Sequence, residues 1–339
     1  MDPLITNDID EYNNVFYDTE KEPLYYYSDN LDDKNTYDNK NYLLIYPEDS
    51  IDYRYEIVER IGKGAFGKVY KAYDHKRNMM VALKAIRKEG RFHRQAKLEI
   101  GLYQLMMTNE KSYSRHVIPM YKWFISRGDY FLSFELFGED MYNYYKKNII
   151  GSKDLKSFSL QIAMGLEFIH SHGIIHMDLK PENILIKDKH LKIIDLGSSY
   201  MEQPNMLKDY VQSRYYRSPE VVFNIGVKIS MDIWSYGCIL YELAERKPLI
   251  PAKSQGELAV YYTYIMNYPP VNMKNIYDNK NYPLSNRRIK NGTILIPNSF
   301  EWNHDNIYFK ELIINGCLQW DPSKRLTAIE IMKHRYFET

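Results

Sequence analysis

A chain of 339 residues can bury a sizeable core, and a composition of 45% hydrophobic and 26% charged residues is a globular balance. A formal net charge of +1 gives no pull toward nucleic acid, and with no apolar run of about 18 residues no membrane-spanning helix is expected. Two cysteines, Cys238 and Cys317, supply no disulfide framework and fit a reducing compartment; the expectation is a monomeric intracellular protein, cytoplasmic or nuclear, without nucleic acid or membrane partners.

The charge is unevenly spread. Residues 1–50 hold 13 acids and 3 lysines, leaving 31 acids against 42 bases for the rest. Residues 1–41 read as a solvated, disordered acidic tail, and the acidic start has no apolar core of a secretory signal. Apolar residues return from Tyr42 to Tyr55, an ordered extension assigned to 42–54. The hexamer Tyr-Asp-Asn-Lys-Asn-Tyr occurs at 37–42 and 277–282, a coincidence in a chain with 33 tyrosines.

At 55–61 a strand leads into Gly62-Lys63-Gly64-Ala65-Phe66-Gly67-Lys68-Val69. Three glycines at this spacing are a weak signal alone. In a dinucleotide-binding fold they would open a helix, but Lys68–Tyr73 alternates and reads as a second strand. Val81-Ala82-Leu83-Lys84 is a third strand, with a lysine that in isolation would be assigned to solvent. Residues 91–107 read as a helix whose Phe92, Ala96, Glu99, Tyr103 and Met106 share a face. Glu99 there is costly unless paired, and Lys84 is the partner expected. Two strands follow within 116–137, ending in Phe134-Glu135-Leu136-Phe137. A long helix is expected over 154–172, capped by Asp154 and ended by Gly173; its His170 and His172 face different ways and are no ligand pair.

Residues 174–197 place Asp178, Lys180, Asn183 and Asp195 close together. An acid to take a hydroxyl proton, a lysine to offset phosphoryl charge, and an amide and acid to hold metal form a Mg-nucleotide constellation. Ile184–Ile186 and Leu191–Ile194 read as a hairpin that would carry both metal-binding side chains on one support. Helices are expected at 230–244, 307–320 and 326–336, with loop-rich chain between 267 and 306. Asp and Asn near turns more often cap or turn, so it is the combination that carries weight.

The sequence His176-x-Asp178-x-Lys180-x-x-Asn183 followed by Asp195-x-Gly197 resembles the catalytic loop and metal motif of eukaryotic protein kinases. The resemblance covers about residues 42–337. It implies an α+β, bilobal protein-kinase fold with a β-rich N-lobe (55–137) and a mainly helical C-lobe (138–337). Asp178 would be the catalytic base with Lys180 beside it, and Asn183 and Asp195 would bind Mg2+. ATP would meet Ile61, Gly62, Lys63, Gly64, Ala65, Phe66, Gly67, Val69, Ala82, Lys84, Glu99, Phe134, Glu135, Leu136 and Leu185, with Phe134 as gatekeeper. Asp232 would anchor the catalytic loop, and Arg325 would pair with Glu220.

The activation segment, Tyr210-x-Gln-Ser-Arg214-x-Tyr-Arg217-x-Pro-Glu220, resembles the dual-specificity tyrosine-phosphorylation-regulated kinase (DYRK) family of the CMGC group. Tyr53-Arg54-Tyr55 is similar to that family's N-terminal box; the loop near 282 and Glu301-Trp302 are closest to class II. The resemblance implies Ser/Thr phosphorylation of protein substrates, autophosphorylation of Tyr210, and a preference for Pro after the target. Phosphate on Tyr210 would meet Arg214 and Arg217, and Glu182 would read an upstream Arg. Three positions depart: Met177 replaces the arginine of the usual kinase motif, Leu196 replaces Phe, and Lys208 stands where relatives often have tyrosine. None removes a catalytic group. The rival is a pseudokinase scaffold, which the intact set of groups disfavours.

Overall fold

The computed structural model describes residues 37–107, 115–203, 206, 211–267, 269–270 and 306–338. The acidic tail up to residue 36, Lys208, Tyr210, the second hexamer at 277–282 and Glu301-Trp302 lie outside the described residues. The chain divides into two compact units. The first runs to Gln104 and resumes over Met120–Leu136; the second takes Leu105–Pro119 and the chain from Phe137.

The first unit is built on an antiparallel sheet in the order β1-β2-β3-β4-β6-β5. Its strands are β1 Ser50–Ile51, β2 Tyr55–Lys63, β3 Gly67–Asp74, β4 Met79–Ile86, β5 Met120–Ser126 and β6 Asp129–Glu135, and helix α1, Gly90–Met107, follows β4. Alternation decides the faces. Tyr70, Ala72, Val81, Leu83, Ala85 and Phe131 form one face, and Leu43, Ile45 and Ile51 of the extension bury it. Tyr55, Phe124 and Phe131 stack in series at 5.1 and 5.3 Å. The extension is thus part of a core, and its order begins earlier than expected. Tyr37 bridges to Leu43, so residues 37–41, assigned above to the tail, form a turn.

The buried fork between Arg54 and Asp74 ties the extension to β3. Arg54 Nε and Nη2 each donate at 2.7 Å to Asp74, whose Oδ1 also accepts the Lys76 and Arg77 amides. Burial pushes the Asp74 carboxyl up, but Arg54 and the two amides outweigh it and hold it below the ordinary carboxylate value.

The second unit is mainly helical. It comprises β7 Glu139–Asp140, α2 Met141–Lys147, α3 Ser152–Ser171, β8 Ile174–Ile175, β9 Ile184–Lys187, β10 His190–Ile193, β11 Tyr200–Met201, α4 Pro219–Val222, α5 Ser230–Glu245, α6 Gln255–Met266, α7 Ile307–Glu311 and α8 Ala328–Met332. Helix α5 is buried without interruption from Met231 to Leu243, as its lack of a polar stripe predicts. Helix α3 starts two residues before the expected cap. Gly151 is its N-cap, and Asp154 sits in the first turn, where a negative charge is favourable. The helix expected over 307–320 is interrupted: α7 passes into a π-helical turn, Leu312–Cys317. The last helix shortens to α8, which starts on a capping box between Thr327 and Glu330. No helix among the described residues is long and apolar enough to cross a membrane.

Candidate active site

In the second unit Asp188 and Lys189 join β9 to β10, both with positive φ, the form a two-residue hairpin turn favours. At the open end Ile184 pairs with Ile193, and the Ile194 amide donates to the Asn183 carbonyl at 3.0 Å. Asn183 and Asp195 therefore stand at the two mouths of one hairpin, as expected. Asp195 has φ 65°, a conformation Asp tolerates better than most residues. Leu185 lies between them on β9, opposite Lys192.

Donors converge on Asp178. Lys180 Nζ reaches Oδ2 at 2.6 Å, and the Ser213 amide and hydroxyl reach Oδ1 at 3.1 and 2.7 Å. Asn183 Nδ2 donates to the Asp178 carbonyl at 2.8 Å, and Lys180 also donates to Ser213 Oγ at 3.1 Å. Ser213 is the residue the sequence reading missed. The signal available in the sequence is a small hydroxyl inside the Gln-Ser-Arg motif, next to Arg214.

Beneath these groups the backbone is pinned from the core. Asp232, fully buried in the first turn of α5, accepts the His176 amide at 2.7 Å, the Met177 amide at 3.0 Å and His170 Nε2 at 3.0 Å. It is the anchor expected of it. The Asp178 amide donates to His176 Nδ1 at 3.2 Å, so the ring proton lies on Nε2, which donates to the Ile194 carbonyl at 3.0 Å. One imidazole thus joins the Asp178 loop to the strand leading to Asp195. Met177 is held at φ 62°, a strained conformation for a long side chain. Its carbonyl accepts the Gln212 amide, and its side chain is buried with Ile175, Val221, Val227 and Met231.

Gln212 organises the segment that follows. Its amide nitrogen donates to Ser235 Oγ at 2.8 Å, and its amide oxygen accepts the Ser218 backbone N–H at 2.8 Å. Arg217 is almost fully buried; its guanidinium holds the carbonyls of Val211 and Gln212 at 2.9 and 2.7 Å. Arg214 donates to the Lys253 carbonyl at 2.9 Å. The two arginines expected to meet a phosphate thus already have backbone partners. Tyr216 and Tyr145 donate to the two oxygens of buried Glu242, at 2.7 and 2.5 Å. Burial first, then the nearby charge of Glu182, pushes the Glu242 carboxyl up, while the two tyrosine hydroxyls pull it down. Glu182, itself exposed, borders this acidic corner. Arg325 and Glu220 form the expected buried pair, with Nη2 at 2.7 Å from Oε2.

In the first unit Lys84 Nζ lies 2.8 Å from both oxygens of Glu99, and both residues are buried. Register puts Val69 opposite Lys84, Ala82 opposite Phe134 and Gly62 opposite Val69, so these residues line the face of the sheet opposite the extension. Tyr103 of α1 packs edge-on to Phe134 at 5.3 Å. Glu135 closes β6 opposite Val81, and Leu136 follows it, half-buried. Between β2 and β3 the turn is Gly64-Ala65-Phe66, flanked by exposed Ile61 and Lys63. The glycines differ in kind. A Cβ on Gly67 would meet the Ala85 carbonyl oxygen at 2.2 Å, so the chain's own backbone requires that glycine. A Cβ on Gly64 would meet nothing within 4 Å, so no contact among the described residues requires glycine there.

Metal-binding chemistry fits the second unit. With Asn183 Nδ2 donating to Asp178, its amide oxygen and the Asp195 carboxylate are hard oxygen ligands suited to Mg2+. Among the described residues no group of three or more His, Cys, Asp or Glu could hold a metal. A metal here would complete its shell with water and phosphate oxygens, the habit of Mg2+, which is bound through one or two protein oxygen ligands.

Comparison with known proteins agrees with this geometry. The protein kinase domain family matches residues 55–337. Dual specificity tyrosine-phosphorylation-regulated kinase 3 of Rattus norvegicus is 35% identical over 321 residues, covering 85% of this chain and 54% of the relative. Dual specificity tyrosine-phosphorylation-regulated kinase 4 of Homo sapiens is 34% identical over 324 residues, covering 89% and 61%. Dual specificity tyrosine-phosphorylation-regulated kinase mbk-2 of Caenorhabditis briggsae is 33% identical over 335 residues, covering 88% and 41%. The chain spans about half the length of the curated relatives it matches.

Proposed function

Because the chain belongs to the protein kinase family, within it to the dual-specificity tyrosine-phosphorylation-regulated kinases of the CMGC group, we propose that it transfers the γ-phosphoryl group of ATP to Ser or Thr of protein substrates. The observation that carries this reading is the Asp178 carboxylate, oriented by Lys180 and Ser213 beside the hairpin that presents Asn183 and Asp195. Asp178 accepts the proton of the attacking hydroxyl. Lys180 offsets charge on the transferred group. Asn183 and Asp195 hold Mg2+, which when bound neutralises phosphate charge. Lys84, oriented by Glu99, pairs with nucleotide phosphates, and the turn around Gly64 offers them backbone amides. In the first unit Ala82, Val69 and Phe134 contribute apolar surface and the backbone of Glu135 and Leu136 receives adenine; in the second unit Leu185 is the apolar residue assigned to ATP.

Regulation belongs to the same proposal. Phosphate on Tyr210 adds roughly −1.5 to −2 charges. Arg217 holds the carbonyls of Val211 and Gln212, immediately after the position that would carry the phosphate. Pro is favoured after the target residue. Glu182, beside Glu242, supports recognition of an Arg upstream of it. Two buried free thiols, Cys238 and Cys317, suit a reducing cytoplasm or nucleus.

The test is phosphosite mapping by mass spectrometry on protein made in bacteria, beside an Asp195→Asn control. Asn tolerates the same φ, so the control keeps the loop. Phosphate on Tyr210 in the parent alone is the expected result. A parent with no phosphate that also fails to label a Ser-Pro or Thr-Pro peptide overturns the proposal.

A further inference from the structure

We propose that Tyr42 is a positioning residue for the nucleotide, acting through the glycine-rich turn; this rests on the kinase reading above. The Tyr42 hydroxyl donates to the Gly64 carbonyl at 2.8 Å, across 22 residues of sequence. A Cβ at Gly64 would meet nothing within 4 Å, so the turn is open at this position. Tyr42 is itself almost fully buried, and its ring is ringed by cations: Lys63 at 4.7 Å, Lys68 at 5.2 Å and Arg87 at 5.2 Å from the centroid. Such contacts fix a ring in place.

Residues 38–42 form the turn that presents this ring. Asp38 Oδ1 accepts the Lys40 and Tyr42 amides, both at 3.0 Å, and Oδ2 pairs with Lys68 at 3.3 Å. Arg87, just after β4, holds the far side of the glycine turn and is itself tied to this region. The Arg87 amide donates to the Phe66 carbonyl at 2.9 Å, while Arg87 Nε donates to the Lys40 carbonyl. The extension therefore bonds the Gly64 end of the turn directly and reaches the Phe66 end only through Arg87.

The physical consequence follows from what glycine lacks. A glycine turn has many accessible conformations, and only some aim its amides at a phosphate. A bond to the Gly64 carbonyl selects among them before the ligand arrives, which lowers the ordering cost of binding. The effect is confined to ligands that carry phosphates.

The experiment measures the affinity of the full chain for Mg-ATP and for adenosine by titration calorimetry. Tyr42→Phe keeps the ring and removes the donor. It should weaken ATP about 3- to 10-fold, the size of one neutral hydrogen bond, and leave adenosine within about twofold. Asp38→Ala, which frees the presenting turn without touching Gly64, should show the same selectivity. Tyr46→Phe, on an exposed tyrosine of the extension, should change neither ligand. Unchanged ATP affinity in Tyr42→Phe, or equal loss for both ligands, overturns the inference and leaves the kinase reading intact. A parent that binds no ATP overturns both.

Discussion

Met177→Arg restores the residue that the kinase motif usually carries before the catalytic Asp, and it should damage this protein. The Met177 side chain is fully buried with Ile175, Val221, Val227 and Met231, and Tyr200, Met206 and Val211 pack on that cluster. Its backbone cannot swing away, because Asp232 and Gln212 bond both sides of it. None of the cluster residues carries a carboxylate. An uncompensated buried charge costs about 3–5 kcal/mol. In a unit of roughly 200 residues each kcal/mol moves Tm by about 2–4 °C, so a fall of about 10 °C is expected. Met177→Leu, which conserves volume, should cost less than about 1.5 kcal/mol. Differential scanning calorimetry on the three proteins measures the difference. If Met177→Arg melts within about 2 °C of the parent, the guanidinium has found water or an acid. The apolar packing is then not what seats the loop.

Three further outcomes are expected. Asp178→Asn should abolish phosphotransfer to peptide while Mg-ATP still binds, since the substitution leaves the Lys84–Glu99 pair and the Gly64 turn as they are; near-normal turnover would sink the assignment. Ser213→Ala removes one donor to Asp178 and one acceptor from Lys180. It should lower turnover about tenfold with little change in Tm, read by steady-state kinetics against thermal melting. Asp74→Asn breaks the buried fork to Arg54 and should cost about 3 kcal/mol at neutral pH. The folded Asp74 carboxyl lies below its ordinary value of 3.8, so its contribution is complete above that value and is lost as pH falls through the folded pKa. The gap between parent and variant in a denaturant titration should therefore close below about pH 4; a gap constant with pH would refute the cause given for that shift.

The features legible in the sequence were those set by short-range pattern. The β9–β10 hairpin, the Glu99 position on the apolar face of α1, and the buried α5 each follow from a repeat of side-chain character over a few residues. Motif resemblance added Asp232 and the Arg325–Glu220 pair, whose partners lie 55 to 105 residues apart. What stayed hidden depends on contacts without a local signature. Ser213 reaches Asp178 over 35 residues, and Tyr42, the first residue of the extension, reaches Gly64 over 22. The capping position of α3 was misjudged because an Asp in a first turn looks like a cap. The interruption at Leu312–Cys317 is marked only by Asn315-Gly316, a pair too short to outweigh the helical spacing on either side.

Asp232 bears on how damage in this protein should be interpreted. A single carboxylate at the start of a helix buried from Met231 to Leu243 receives two consecutive amides of the loop that carries Asp178. The geometry of the chemical step is therefore measured from the hydrophobic interior, and not from the surface where substrates arrive. A substitution that shifts α5 by a fraction of an ångström, at Trp234 or Ile239 for instance, moves the loop with it. Loss of turnover in a core variant of this chain would then be a report on distance rather than on the fraction of molecules folded. Separating the two requires a binding measurement alongside every rate.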